Sequence, residues 1–121
     1  MKIKLTVLLF AAGLVMLFTD SCRREPDLTG YPEVIFKTEV LPVISANCSQ
    51  SGCHSSGGGE VFPLTNYEQI VSNVTPYKAY KSSLYRAITG RNYQLMPPAG
   101  PLNDDQIRSI FVWIEQGAPN N

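Results

Sequence analysis

The only histidine of this 121-residue chain, His54, directly follows Cys53, and four residues separate Cys53 from a second cysteine, Cys48. The segment reads Cys48-Ser49-Gln50-Ser51-Gly52-Cys53-His54. Whatever the chain folds into has to carry two thiols and an imidazole on one short loop. A single histidine excludes a multi-histidine metal centre. No G-x-S-x-G or Walker-type phosphate loop is present, so the usual motif arguments for a hydrolase or a nucleotide enzyme do not apply. Ten Lys plus Arg balance ten Asp plus Glu. That gives no basic stripe of the kind nucleic-acid binding needs, and nucleic acid is set aside as a partner.

Length predicts one domain, preceded by an address. Lys2 and Lys4 lead into a run from Leu5 to Phe18 with one hydroxyl residue and no charge, the pattern of a secretory signal. As a helix this run would span roughly 21 Å against a hydrocarbon core of about 30 Å, which makes a permanent membrane anchor the weaker reading. Thr19-Asp20-Ser21-Cys22 follows, and a small residue directly before a cysteine resembles a bacterial lipoprotein cleavage site, although such sites usually carry an aliphatic residue where Thr19 stands. The expectation is a signal peptide over 1–21, a lipid-bearing Cys22 with a tether over 22–31, and a domain over 32–121. Ordinary cleavage or an uncleaved anchor are the alternatives. Export would place the chain in the periplasm or cell envelope, where Cys48 and Cys53 remain once Cys22 carries lipid.

The mature domain reads as all-α, with four or five short helices, long loops and no internal repeat. Pro32 is a favoured first helical residue, and Val34, Ile35, Phe36, Val40 and Leu41 give one apolar side before Pro42 interrupts. A short turn over Val43 to Asn47 follows. Ser55 to Gly59 is a loop by composition, expected to separate two compact halves. Thr65-Asn66-Tyr67-Glu68 has capping-box form ahead of Ile70, Val71 and Val74. Another helix should run from Ser82 or Ser83 through Ile88 and stop at Gly90. The clearest begins at Asn103, with Gln106 three residues on and Asp104 and Asp105 against the helix dipole. Ile107, Ile110, Phe111 and Ile114 mark its face, and Gly117 ends it. Ordering long loops costs about 1 to 2 kcal/mol per residue. A bound prosthetic group would supply apolar surface that such loops lack.

The cysteine–histidine segment is the one strong chemical motif. In c-type cytochromes two thiols add across haem vinyl groups, and the histidine after the second cysteine binds the iron. The usual spacing has two residues between the cysteines. Here the four must bulge outward, which small Ser49 and Ser51 and permissive Gly52 allow. A Cys48–Cys53 disulfide, a structural zinc site or a free thiol pair are the competing readings. The disulfide leaves His54 unexplained, and structural zinc wants four ligands where the mature chain offers these three apart from carboxylates. Met96 is the one methionine outside the signal, and Pro97 and Pro98 would hold it in a stiff extended strap. It is the candidate second axial ligand, with core filling as the bland alternative. Leu64, Tyr67, Tyr85, Ile88, Leu95 and Phe111 are candidates to wall the haem or to pack on one another. Trp113 reads as core rather than as a propionate donor, and Arg91 as a propionate partner or a solvated cation.

From Phe36 to Asn120 the chain resembles the planctomycete-type, class I-like monohaem cytochrome c domains of exported bacterial proteins. The likeness rests on Ile44-Ser45-Ala46-Asn47-Cys48, Cys53-His54, Leu64 with Tyr67, Ser83-Leu84-Tyr85, Met96-Pro97-Pro98, Leu102, Gln106-Ile107, Trp113-Ile114 and Gly117-Ala118-Pro119. It implies a cytochrome c-like fold around one covalent haem c, with Cys48 and Cys53 as attachment residues, His54 as proximal and Met96 as distal iron ligand. The implied role is a non-enzymatic electron carrier for redox partner proteins, held at a membrane by its N-terminal lipid. A haem sensor or enzyme with an open sixth iron position, or a disulfide-closed interaction module, are the alternatives. The near-neutral mature chain argues against docking through one large charged patch. Cells fed a palmitate analogue should label the wild type and not Cys22→Ser; an unlabelled wild type would remove the lipoprotein expectation.

Overall fold

Pro42 lies inside a helix rather than at its end. In the computed structural model, which describes residues 26–57 and 61–121, a π-helical turn over Phe36–Val40 runs directly into α1, Leu41–Asn47. Leu41 N–H donates to Phe36 O, five residues back. Proline has no N–H to give and its ring collides with the carbonyl four residues before it. The wider turn ahead of Pro42 lets the helix pass through, so the expected interruption becomes a change of pitch.

Pro32 does not start this helix, contrary to expectation. Val34 N–H donates to Gln116 Oε1 at 2.9 Å, and Gln116 Nε2 donates to Pro32 O at 2.9 Å. Phe36 N–H donates to Asn121 Oδ1 at 2.6 Å, and Lys37 N–H to Asn121 O at 3.2 Å. With their polar groups held by the C-terminal end of the chain, residues 32–35 stay outside the helix, and Ile35 is extended.

Three further helices follow: α2, Tyr67–Val71; α3, Ser83–Ile88; and α4, Asp104–Glu115, with a 3-10 turn at Ala79–Lys81 ahead of α3. No strand occurs among the described residues, and the domain is all-α. The cap of α2 sits one residue later than the sequence pattern predicts. Asn66 accepts the Gln69 N–H, and Gln69 Oε1 accepts both the N–H and the hydroxyl of Thr65. The α4 start is as expected, with Asn103 and Gln106 forming a reciprocal capping box. Helices α3 and α4 both end in Schellman geometry: Arg91 N–H reaches Arg86 O at 2.8 Å, and Ala118 N–H reaches Trp113 O at 2.9 Å. Gly90 and Gly117 supply the positive φ these ends require.

One apolar core includes Phe36, Val40, Ile44, Leu64, Ile70, Ile88, Ile110, Trp113 and Ile114. Residues from both sides of the Ser55–Gly59 segment share it, so that segment does not divide two halves. Ser55–Gly57 are irregular, and Gly58 and Gly59 lie outside the described residues. Trp113 is wholly buried with Phe36 against it at 5.3 Å, and its Nε1–H donates to Pro119 O at 2.9 Å. The α4 buried face is therefore wider than predicted: Val112 and Trp113 are buried, while Ile107 and Phe111 are half-buried.

The signal segment, Cys22 and the start of the tether fall outside the described residues, among which no helix is long and apolar enough to cross a membrane. Gln116→Ala, which removes both bonds to the 32–35 segment, should lower the unfolding free energy by about 1–2 kcal/mol. Urea unfolding followed by the fluorescence of the single tryptophan measures it.

Candidate functional site

Cys48 closes α1. Its N–H donates to Ile44 O at 2.8 Å, which keeps it at the helix C-cap and turns its side chain into the core, where it is buried. The chain then swings outward: Gln50, Ser51 and Gly52 are exposed, and Gly52 has φ +80°. His54 N–H donates back to Cys48 O at 3.0 Å and shuts the loop. The residues between the two cysteines thus bulge outward. Gln50 Nε2 donates to Ala46 O at 2.7 Å and Ser49 Oγ to Leu64 O at 2.7 Å, which pin the bulge to α1 and to the chain returning from the glycine segment.

His54 is set by a residue the sequence did not flag. Its Nδ1 lies 2.8 Å from Phe62 O, and its ring packs against the Phe62 ring with centroids 4.8 Å apart. A carbonyl only accepts, so Nδ1 carries the hydrogen and Nε2 keeps its lone pair. That is the tautomer and orientation in which an imidazole binds a metal. Leu64 N–H donates to His54 O at 2.9 Å, so backbone and side chain of His54 are both tied to the 62–64 segment.

Met96 comes to the same place from the loop after α3. Its N–H donates to Ala87 O at 3.0 Å, which fixes the start of the Met96-Pro97-Pro98 strap on the end of α3. Cys48, Cys53, His54 and Met96 all line one cavity of about 460 Å³ with largely apolar walls, within the range of roughly 300–1,000 Å³ typical of small-molecule and cofactor sites. The Cys48–His54 loop and Met96, 42 residues further on, thus meet at one void.

Of the predicted wall residues, Leu64 and Ile88 line this cavity. Tyr67 instead packs edge-on to Phe36 at 5.2 Å and donates its hydroxyl to Ala118 O at 2.8 Å. Tyr85 and Phe111 form a separate aromatic cluster with Tyr80, with centroids 5.4 to 5.6 Å apart. Leu95 is exposed. Arg91 lies 5.1 Å over the Tyr80 ring and away from this cavity, and Trp113 belongs to the core. Phe62, Leu84, Ala87 and Tyr93 complete much of the wall. Only Leu84 had a signal, its place in the Ser83-Leu84-Tyr85 run; a loop aromatic such as Phe62 or Tyr93 follows no period that would mark it.

Both thiols are free. Burial, reinforced by the neighbouring Cys53, pushes the Cys48 thiol up to about 11. Cys48 is therefore a neutral thiol at physiological pH, while Cys53 is exposed. Among the described residues no three His, Cys, Asp or Glu side chains converge as a metal-binding group. The chain matches no protein-family model, no curated protein and no solved structure.

Because the folded Cys48 releases its proton later than an unfolded thiol at 9.0, its contribution to stability falls as pH rises from about 9 to about 11. In a Cys22→Ser background with both thiols free, iodoacetamide at pH 8 should modify Cys53 and spare Cys48 until the protein is unfolded or the pH approaches 11. Peptide mass spectrometry reads the two sites, and equal rates at pH 8 would contradict the burial argument.

Proposed function

We propose that this chain is a monohaem c-type cytochrome of the planctomycete type, exported and lipid-anchored through Cys22, that carries single electrons between redox partner proteins. The observation that supports it best is the meeting of Cys48, Cys53, His54 and Met96 at one apolar cavity, with His54 Nε2 left free by the Nδ1 bond to Phe62 O. These residues fit a covalently held porphyrin. Cys48 and Cys53 would each add an S–H across a vinyl group and hold it by thioethers, His54 would be the proximal ligand and Met96 the distal one. The bound group supplies reversible one-electron Fe(III)/Fe(II) chemistry.

The protein's own part is positioning. Phe62 O holds the His54 ring in its donor tautomer, and a hydrogen-bonded Nδ1–H makes the imidazole a stronger donor. Ala87 O and the two prolines hold the Met96 strap, so a thioether is presented from a stiff segment, and His/Met ligation raises the potential relative to two histidines. Leu64, Leu84 and Ile88 line the cavity and would keep water from a group bound there. The all-α architecture, with short helices and long irregular segments, suits a cytochrome c-like fold.

Protein from cells able to mature c-type cytochromes should give a pyridine haemochrome spectrum with two thioethers and a six-coordinate low-spin haem that resists carbon monoxide when reduced. Met96→Ala should keep the covalent haem but admit carbon monoxide, and His54→Ala should lose the low-spin spectrum. Absence of covalent haem would overturn the proposal. A wild type that is high-spin and binds carbon monoxide readily would replace the carrier with a gas- or peroxide-binding module.

A further inference from the structure

A second cleft, of about 950 Å³, shares no lining residue with the cavity of Cys48 and Met96. Lys78, Lys81, Arg86 and Arg91 line it, four of the ten basic side chains of a chain with zero net charge. One carboxylate, Glu115, is on its wall, and an oxygen of that group accepts the Ala79 N–H at 2.7 Å. None of the four cations forms an ion pair among the described residues, where the one salt bridge joins Arg108 to Asp105. The near-neutral composition therefore conceals a concentrated positive field inside a concave surface, where low-dielectric walls strengthen it.

Aromatic rings hold two of the four cations in place. The Arg86 guanidinium sits 4.7 Å over the Tyr93 ring and that of Arg91 5.1 Å over Tyr80. A guanidinium stacked by its face keeps its N–H edge for a planar or tetrahedral anion. Tyr77 adds a presented ring. It is 63% exposed, yet its backbone is fixed at φ +62°, with its N–H donated to Ile114 O at 2.8 Å. The ring lies against Gly117, where a Cβ would come within 2.6 Å of it. A non-glycine residue held in the left-handed region beside a cleft is the kind of strain that collects at ligand clamps.

We infer that this cleft binds a small molecule carrying clustered anionic groups and a flat ring, the composition of a nucleoside diphosphate: Arg91, Arg86 and the two lysines meet the anions and Tyr77 stacks on the ring. Its concavity and volume are those of a small-molecule site, whereas protein docking surfaces are broad. The inference does not depend on the haem reading, since the two sites share no lining residue.

Calorimetric titration of the full chain with uridine diphosphate and with inorganic pyrophosphate tests it. The nucleotide should saturate one site about tenfold more tightly than pyrophosphate, as stacking of its base requires, and both should weaken as salt is raised. Arg91→Gln combined with Lys81→Gln should weaken both probes about tenfold or more, while Lys37→Gln and Arg108→Gln, outside the cleft, change neither more than about twofold. Lys78→Gln combined with Lys81→Gln is the second variant, because neither residue takes part in the end of α3. Tyr77→Leu should bring the nucleotide down to the pyrophosphate affinity. The inference is overturned by the absence of saturable binding, by equal affinity for the two probes, by control variants that lose as much as the cleft variants, or by binding of a polyglutamate peptide without binding of the nucleotide.

Discussion

Trp113 and Phe36 pack with ring centroids 5.3 Å apart and planes tilted by 32°, joining the first and last elements of the domain, and the rest of the domain is arranged around that contact. Trp113 comes from α4 and Phe36 from the π-helical turn; the edge-on Tyr67 brings in α2, and the Trp113 indole N–H ties the tail at Pro119. Every helix of the domain is short, and isolated helices of this length are marginal in water. Burial of their apolar side chains in one shared core, with Trp113 fully enclosed in it, is what holds them. The hydrogen bonds of Gln116 and Asn121 to the 32–37 segment then orient the π turn so that Phe36 points inward.

Beyond that core the chain between α1 and α2, and again between α3 and α4, has little apolar surface to bury. It is ordered instead by a few backbone bonds: His54 to Cys48, Leu64 to His54, and Met96 to Ala87. These are the segments that carry the sulfurs and the imidazole. Leu64 and Leu102 anchor them in the core, polar contacts order much of the rest, and the void lies where packing is incomplete. On the proposed reading, a large flat apolar group seated there would fill the space that these segments leave open.

How far the sequence discloses this depends on the range of each interaction. The α4 start is legible because cap, capping partner and first-turn acids lie within four residues of one another. At α2 two adjacent cap formers compete; Asn66 takes the cap, which leaves Gln69 at the position from which its side chain reaches Thr65. Pro32 misleads because the groups that bind Pro32 O, Val34 N–H and Phe36 N–H lie more than 80 residues away, at Gln116 and Asn121. In the site, Cys48, Cys53, His54 and Met96 stand out because each is scarce, whereas Phe62 and Tyr93 contribute through loops that no period organises. Net charge is the least legible quantity of all. A total of zero says nothing about whether four cations share one cleft.

Helix α3 shows why the two hollows are adjacent yet separate. Ser83, Leu84, Ala87 and Ile88 recur at the spacing that makes one helical face, and all four line the cavity with the cysteines and Met96. Arg86 falls between them on the other side and lines the cationic cleft, as does Gly90 just past the end. The six residues of α3 are thus a wall with an apolar side and a charged side. The wall is not sealed electrostatically, because the Arg86 guanidinium lies over Tyr93, whose ring lines the cavity. An anion drawing on Arg86 from the cleft would weaken the positive charge facing that ring. The shared helix gives the two sites a physical connection of one side chain, short enough for charge in one to be felt in the other.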